Sequence, residues 1–335
     1  MLKITICGGG NLGTVCAGFL AAQADTEVSL LTRRPDRWSL TPEVTDPDGR
    51  CFTGTLARVT AEAQDVVPEA DIVLLCLPGF SIEPILREIR PWLSPATVVG
   101  AIVANTGFFF QAHDLLPATQ PLFGFQRVPF ISRISAYGHQ AHLLGYKPQL
   151  HVAIEHLTDP EPLRSTLERL FRTPVALLNN FYEASLSNSN PILHTGRLFT
   201  MWQGHEHDLF PAPILFYDDW TLEASEMILH MDAEFMQLTE HLGISQTAIP
   251  SLLTYYESVD AASLTHKIRS ITAFHGIQAP MVECADGWRI DFTSRYFTED
   301  FPYGLRFIRD LLIQHHIPAP FIEQVYQWGM SYAIR

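Results

Sequence analysis

The sequence predicts a two-domain chain: an α/β domain on a mostly parallel, doubly wound sheet over residues 1–179, then a helical domain over residues 180–335. Three observations predict it. Short apolar runs at Ile4–Cys7, Ile72–Leu77 and Val98–Val103 alternate with helical stretches through the first half. The first of those runs passes straight into Gly8-x-Gly10-x-x-Gly13. Beyond about Asn179 the strand-like runs cease, and apolar residues recur at spacings of three and four. With 335 residues, 47% of them apolar and 17% charged, the chain is long enough for two cores.

Ile4 to Cys7 reads as the first strand, and Thr14 to Ala22 as a small-residue helix behind it. Gly8 permits the tight turn, Gly10 leaves room for a phosphate, and Gly13 lets helix and strand pack closely. The helix start adds unpaired N–H groups and the positive end of its dipole. Gly8, Gly10, Asn11, Leu12 and Gly13 are therefore assigned to a dinucleotide pyrophosphate, in the manner of a Rossmann domain. Glu27 to Leu31 is the second strand. Its end, where an NAD site offers Asp or Glu to the ribose, carries Thr32, Arg33 and Arg34, with Arg37 close behind. Guanidinium groups suit a 2′-phosphate through forked, charge-assisted bonds, so NADP is favoured over NAD.

Trp38 to Ala57, with Pro42, Pro47, Asp48-Gly49 and Gly54, reads as a turn-rich excursion before a strand near Thr55–Thr60. Ile72–Leu77 is a continuous apolar run, typical of a strand buried on both faces. Pro78-Gly79 ends it, and Ser81 is the expected cap of a helix running to about Ile89. Ligands of such sheets lie at the carboxyl ends of the strands. Leu77, Pro78 and Gly79 are thus expected near a nicotinamide, as is Asn105 after the strand Val98–Val103. Phe108, Phe109 and Phe110 read as core, with Gln111 as the polar exception beside them. Leu150–Ile154 alternates as a strand, Glu161–Phe171 is an amphipathic helix, and Val175–Leu178 is a last strand.

In the second half, Asn190 followed by Pro191 is good chemistry for a helix start, Asn190 as N-cap and Pro191 first in the helix. His194 then falls one turn in. Trp220–Leu242 is the longest expected helix, with Ile228, Met231, Phe235, Leu238 and Leu242 on one stripe and Gly243 as its stop. Further helices are expected around Leu252–Tyr256, over Gly304–Gln314 and from Pro320.

A net charge of −14 argues against a general nucleic-acid or anionic-membrane surface, and neither partner is expected. The start reads as a strand rather than a signal peptide, and no apolar run reaches membrane-spanning length, so a cytoplasmic location is expected. Five cysteines, at 7, 16, 51, 76 and 284, form no CxxC pair and suggest no disulfide framework. His205-x-His207, His139-x-x-His142 and His315-His316 lack the HExxH spacing or a cysteine set, and no metal is expected.

The stretch Arg295-Tyr-Phe-Thr-Glu-Asp300-Phe-Pro-Tyr-Gly-Leu305 sets a guanidinium five residues before a carboxylate in an aromatic, Pro/Gly-punctuated segment. An Asp against a His orients the imidazole and favours its charged form, and an Arg can hold a carboxylate at two points. With Gly8–Gly13, Gly107–Leu116, Asn190-Pro-x-x-His194 and Tyr217–Glu234, this stretch makes the sequence resemble the octopine/nopaline (opine) dehydrogenase family. The resemblance implies a Rossmann domain followed by an all-α domain similar to that of phosphogluconate dehydrogenase. It also implies NAD(P)H-dependent joining of the amino group of an amino acid to a 2-oxo acid such as pyruvate. By the same resemblance His194 is the catalytic histidine, Asp300 its carboxylate partner and Arg295 the substrate-carboxylate clamp, with Gln111 and Asn190 among the substrate contacts. Two alternatives stay open. One is a 2-oxo acid reductase of the ketopantoate reductase type, a class that usually relies on a lysine; Lys267 is the only lysine beyond position 147. The other is a non-catalytic NADP-binding sensor. The amino acid, the oxo acid and the assembly, a homodimer included, are left open.

Overall fold

In the computed structural model, which describes residues 1–333, the N-terminal run forms β1 (Leu2–Cys7) and turns through Gly8–Gly10 into α1 (Asn11–Ala21). There follow β2 (Thr26–Leu31), β3 (Glu43–Thr45), β4 (Cys51–Thr53), β5 (Arg58–Thr60), β6 (Ile72–Leu75), α2 (Ile82–Ile89), β7 (Val98–Ile102) and α3 (Phe108–Leu115). The first unit, Met1–Ser185, is completed by β8 (Leu122–Phe125), β9 (Phe130–Ala136), β10 (Gln140–Tyr146), β11 (Leu150–Glu155), α4 (Glu161–Phe171), β12 (Val175–Leu177) and α5 (Phe181–Ser185).

The main sheet has the order β12-β11-β8-β7-β6-β1-β2-β5. Every neighbouring pair in it is parallel except β8 with β11. From β1 the chain builds outward first through β2 and β5, then on the other side through β6, β7 and β8. The crevice for a ligand in such a sheet opens where the order reverses, between β1 and β6. Alternation along β1 sends Ile4 and Ile6 into one core with Phe19, Leu30 and Phe123, and Cys7 into the other with Leu75, Val99 and Phe108. All four residues of β6 are buried, as a strand covered on both faces requires. Thr5, the polar residue inside β1, gives its hydroxyl to the Val66 carbonyl at 2.8 Å.

The turn-rich excursion holds more order than the sequence suggests. β3 and β4 pair with β10 and β9 in a second sheet, order β4-β3-β10-β9. It packs on α1 through Phe19, whose ring meets Phe52 at 4.9 Å and Phe130 at 5.1 Å. Strands of three residues carry almost no periodic signal, and Gln140, the partner of Glu43, lies 97 positions away. Ser81 makes no side-chain cap bond; its own backbone is already helical, in a 3-10 turn over Gly79–Ser81. The first unit extends to Ser185 rather than stopping near Asn179, because α5 folds back on it. Glu183 accepts the backbone and side-chain N–H groups of Asn179 at 3.0 and 2.9 Å, and its own carbonyl accepts Gln126 Nε2 at 3.2 Å.

The second unit begins at Leu186, and its described residues are mainly helical. It contains α6 (Asn190–Trp202), α7 (Leu222–His241), α8 (Leu252–Tyr255), α9 (Ala261–Ser270), α10 (Arg295–Thr298), α11 (Arg306–Gln314) and α12 (Pro320–Ala333). One antiparallel hairpin, β13 (Met281–Cys284) with β14 (Gly287–Ile290), interrupts the helices. α7 starts where the Thr221 hydroxyl accepts the Ala224 N–H at 3.2 Å, and it ends before Gly243, which takes a left-handed φ of 68°. Ile228, Met231, Phe235 and Leu238 form its buried stripe. On the same helix Glu234 caps α12, accepting the N–H groups of Phe321 and Ile322 at 2.9 and 2.8 Å. Among the described residues, no helix is long and apolar enough to cross a membrane.

Asp232, one turn before Phe235, is buried with the Leu252 N–H as its donor at 2.9 Å. Burial pushes its carboxyl up to about 6 from an ordinary 3.8. The folded chain thus holds this proton more tightly than the unfolded one, and stability falls as pH rises from about 4 through about 6. Asp232→Asn keeps an acceptor for Leu252 and removes the buried charge. Thermal melts should show it more stable than wild type at pH 8, by about 1–3 kcal/mol, with the gap closing by pH 4. A variant less stable at pH 8 would contradict this.

Candidate active site

His194 owes its position to the start of α6. Asn190 is the first helical residue there rather than the cap; Ser189 occupies the cap position without a side-chain bond. The N–H of Asn190 is instead met by Asn188 Oδ1 at 3.3 Å, so the capping contact comes from two residues earlier. Asn190 and His194 are four apart and share a helix face. His194 is buried to 9% exposure among aromatic rings. The ring of Tyr296 lies 4.8 Å away and that of Phe216 stands perpendicular at 5.6 Å.

Both imidazole nitrogens are engaged. His194 Nδ1 lies 2.8 Å from Asp300 Oδ2, and Nε2 lies 3.1 Å from the Tyr217 hydroxyl. A carboxylate only accepts, so Nδ1 carries the proton, and Nε2 receives the Tyr217 O–H. Burial holds that phenol well above its ordinary range, and the neighbouring Tyr296, Tyr256 and Asp300 add to the effect. Tyr217 therefore stays a donor at neutral pH. Phe274 stacks on its ring at 4.1 Å.

Asp300 reaches the histidine because it opens a π-helical turn, Phe301–Leu305, which leads into α11. Such wide turns re-aim a side chain, and they recur at functional sites. The turn lies directly against α6: a Cβ on Gly304 would stand 2.6 Å from Pro191 Cγ. The two motifs, 106 positions apart at His194 and Asp300, are thus packed together at Pro191 and Gly304. Arg295 starts α10 and is exposed; within this unit its guanidinium forms no hydrogen bond or ion pair with the described residues.

Two residues of this site escaped sequence reasoning. Tyr217 stood out only as the start of a longer resemblance, with nothing in its spacing to pair it with His194. Arg197, one turn beyond His194, is buried and donates to the carbonyls of Phe216 at 3.3 Å and Asp219 at 2.6 Å. It pins the segment that carries Tyr217. Burial pushes its guanidinium down to about 10.

In the first unit, Gly8 takes a φ of 113°, and a Cβ there would lie 2.7 Å from the Cys76 carbonyl oxygen at the end of β6. A Cβ on Gly13 would fall 1.9 Å from the Gly8 carbonyl. Gly10 differs: a Cβ there would meet nothing within 4 Å. The loop therefore leaves an open cradle above the N–H groups that start α1, which fits a pyrophosphate. The Asn11 side chain is committed elsewhere, accepting the Ile134 N–H at 2.8 Å, so its offering to the cradle is the backbone N–H. Leu12 follows it in the first turn of α1. Thr32 is buried, while Arg33 and Arg34 are exposed with no carboxylate partner among the described residues of this unit. Arg37 lies over the Tyr137 ring at 5.4 Å. Leu77, Pro78 and Gly79 follow β6, and Asn105 lies in the 3-10 turn after β7. Gln111, one turn into α3, gives Nε2 to the Thr106 and Gly107 carbonyls at 3.3 Å; its Oε1 is buried without a partner among the described residues.

The family model described as NAD/NADP octopine/nopaline dehydrogenase, alpha-helical domain, matches residues 177–333. An opine dehydrogenase of Haliotis discus hannai is 24% identical over 360 residues, covering 98% of this chain and 89% of that one. An octopine dehydrogenase of Pecten maximus is 26% identical over 363 residues, covering 98% and 90%. These matches support the octopine/nopaline (opine) dehydrogenase family for this chain. They support an NAD(P)-dependent oxidoreductase. The chain's fold is shared with a solved octopine dehydrogenase with NADH and L-arginine, at a TM-score of 0.86, 24% identity and coverage of 99% and 89%. A solved yersinopine dehydrogenase with NADP+ has a TM-score of 0.74 at 11% identity, covering 99% and 91%. A second family model, ketopantoate reductase PanE/ApbA, matches residues 4–106, within the Rossmann unit.

Tyr217→Phe removes the donor to His194 Nε2 and leaves the stacked ring. Turnover should fall about two- to tenfold, the scale of one lost hydrogen bond, with cofactor affinity unmoved. Steady-state kinetics and cofactor titration check this; unchanged turnover would leave Tyr217 a packing residue.

Proposed function

We propose that the chain catalyses reductive condensation of an amino acid with a 2-oxo acid, an oxidoreduction at a CH–NH group for which bound NAD(P)H supplies the hydride. The observation that carries this reading is the buried line Asp300–His194–Tyr217, an imidazole held by both nitrogens. An imidazole exchanges protons near neutral pH, which suits the proton transfers that turn a carbonyl into an imine. His194 would take and return a proton at the carbonyl or carbinolamine oxygen through Nε2. Asp300 fixes the tautomer and steadies the ring when it is charged.

Substrate binding follows from the remaining polar groups. Arg295, exposed and without a partner in its own unit, would grip the 2-oxo acid carboxylate with its planar fork. Gln111, whose Oε1 lacks a partner among the described residues, and Asn190, on the His194 face of α6, are the further substrate contacts proposed. Gly8, Gly10, Asn11, Leu12 and Gly13 would hold the pyrophosphate, with Leu77, Pro78, Gly79 and Asn105 toward the nicotinamide. Thr32, Arg33 and Arg34 favour NADP. The solved relatives carry L-arginine or pyruvate, which makes those two the first substrates to try. A ketopantoate-type reduction is disfavoured by Lys267, which is held by Glu257 at 2.6 Å on the surface of the helical unit.

The test is NAD(P)H oxidation with pyruvate across twenty amino acids, each paired with an amine-free control. Amine-dependent turnover is expected with at least one amino acid; turnover equal to the controls throughout would overturn the reading. Dissociation constants for both coenzymes address the cofactor. Wild type should prefer NADPH, and Arg33→Ala should weaken that binding by about ten- to a hundredfold. Tighter binding of NADH by wild type would reverse the assignment.

A further inference from the structure

One cluster in the first unit carries ligand chemistry that the dinucleotide loop does not use. His113 lies on α3, and Glu155 and His156 lie at the end of β11. One ligand atom from each falls within 4.8 Å of those of the other two. His113 Nε2 meets Glu155 Oε2 at 2.7 Å. His156 Nδ1 stands 2.8 Å from the Gln120 carbonyl. A carbonyl only accepts, so Nδ1 carries the proton and Nε2 keeps its lone pair. That is how a metal-binding histidine is usually fixed, by a bond from its second nitrogen. The two imidazoles are 6.0 Å apart and inclined at 46°, and the edge-on ring of Phe181 seats His113 at 4.9 Å. The three residues border a surface cavity of about 270 Å³ together with Pro117 and Leu122.

We propose that His113, Glu155 and His156 form a site for a divalent first-row transition cation, with Zn2+ as the reference ion. Two imidazoles and a carboxylate make a donor set of borderline softness, which suits Zn2+, Cu2+ or Ni2+. Mg2+ and Ca2+ would call for oxygen donors throughout. Three protein ligands leave a fourth position for water. The cation takes the lone pair of His113 Nε2 and an oxygen of Glu155; the neutral His113 ring frees that lone pair by carrying its proton on Nδ1. Once bound, the ion ties α3 to the end of β11. No local spacing signals this cluster, because Glu155 stands 42 positions from His113.

The experiment is calorimetric titration of ZnCl2 into purified full-length chain previously dialysed against a chelator. The expected result is one Zn2+ per chain with a Kd of about micromolar or tighter. Tm should rise with zinc. His113→Gln and His156→Asn should each weaken binding at least about tenfold. Asn is chosen because His156 has a left-handed φ of 62°, which Asn tolerates. Glu155→Gln, which keeps shape and hydrogen bonding, should weaken binding likewise, and zinc-free melts of all three should match wild type. His139→Gln, at an exposed histidine outside the cluster, should bind zinc as wild type does. A wild type that takes up no stoichiometric zinc would overturn the proposal. So would binding undiminished in the folded His113, Glu155 and His156 variants.

Discussion

The helical unit is arranged around an imidazole that is nearly closed off from water yet has a partner on each nitrogen. Leaving either nitrogen unsatisfied at that depth would cost about 1–3 kcal/mol. Several features of the unit exist to avoid that cost. Pro191 begins α6 and abuts Gly304, where any side chain would intrude on the proline ring. The π-turn behind Asp300 brings the carboxylate to Nδ1. Arg197, buried without a carboxylate bond, ties down the 216–219 segment and so keeps the Tyr217 hydroxyl at Nε2. A charge spent on backbone carbonyls in this way makes sense if the segment's position matters more than its stability.

In the first unit the governing constraint is close backbone approach. β1, its turn and α1 are drawn so near that the Gly13 position abuts the Gly8 carbonyl, and Gly8 abuts the end of β6. The space left at Gly10 is the product of those approaches. The second sheet, β4-β3-β10-β9, then braces α1 through Phe19 and fastens its first residue by the Asn11–Ile134 bond. The cradle is rigid because the helix that forms it is held from both sides.

What was legible in the sequence followed distance along the chain. Turn glycines, buried strands and the stripe of α7 are local patterns, and their elements stand within a few residues of where the periodicity puts them. The motifs around His194 and Asp300 could be marked separately, since each carries its own proline and glycine punctuation. The second sheet was not legible, because β3 and β4 are three residues long and complete their pairing with a strand far along the chain. Asn190 looks like a cap because Asn before Pro is good capping chemistry, but the helix already opens on the Ser189 carbonyl, which accepts the Ile192 and Leu193 N–H groups, so Asn190 lies inside it. Tyr217, Arg197 and the His113–Glu155–His156 cluster acquire their neighbours only through folding.

The most direct measurement is a double-mutant cycle on His194 and Asp300, read as single-turnover reduction rates for wild type, His194→Ala, Asp300→Asn and the pair. Coenzyme dissociation constants measured alongside separate a chemical defect from a folding one. His194→Ala should cost about 10²–10⁴ in rate, the usual worth of general acid–base catalysis. Asp300→Asn should also slow turnover, and the double variant should lose little more than His194→Ala alone, with coenzyme binding intact in all three. Losses that simply add in ΔΔG‡ would mean that the two residues act separately, and His194 would then be a structural histidine of α6.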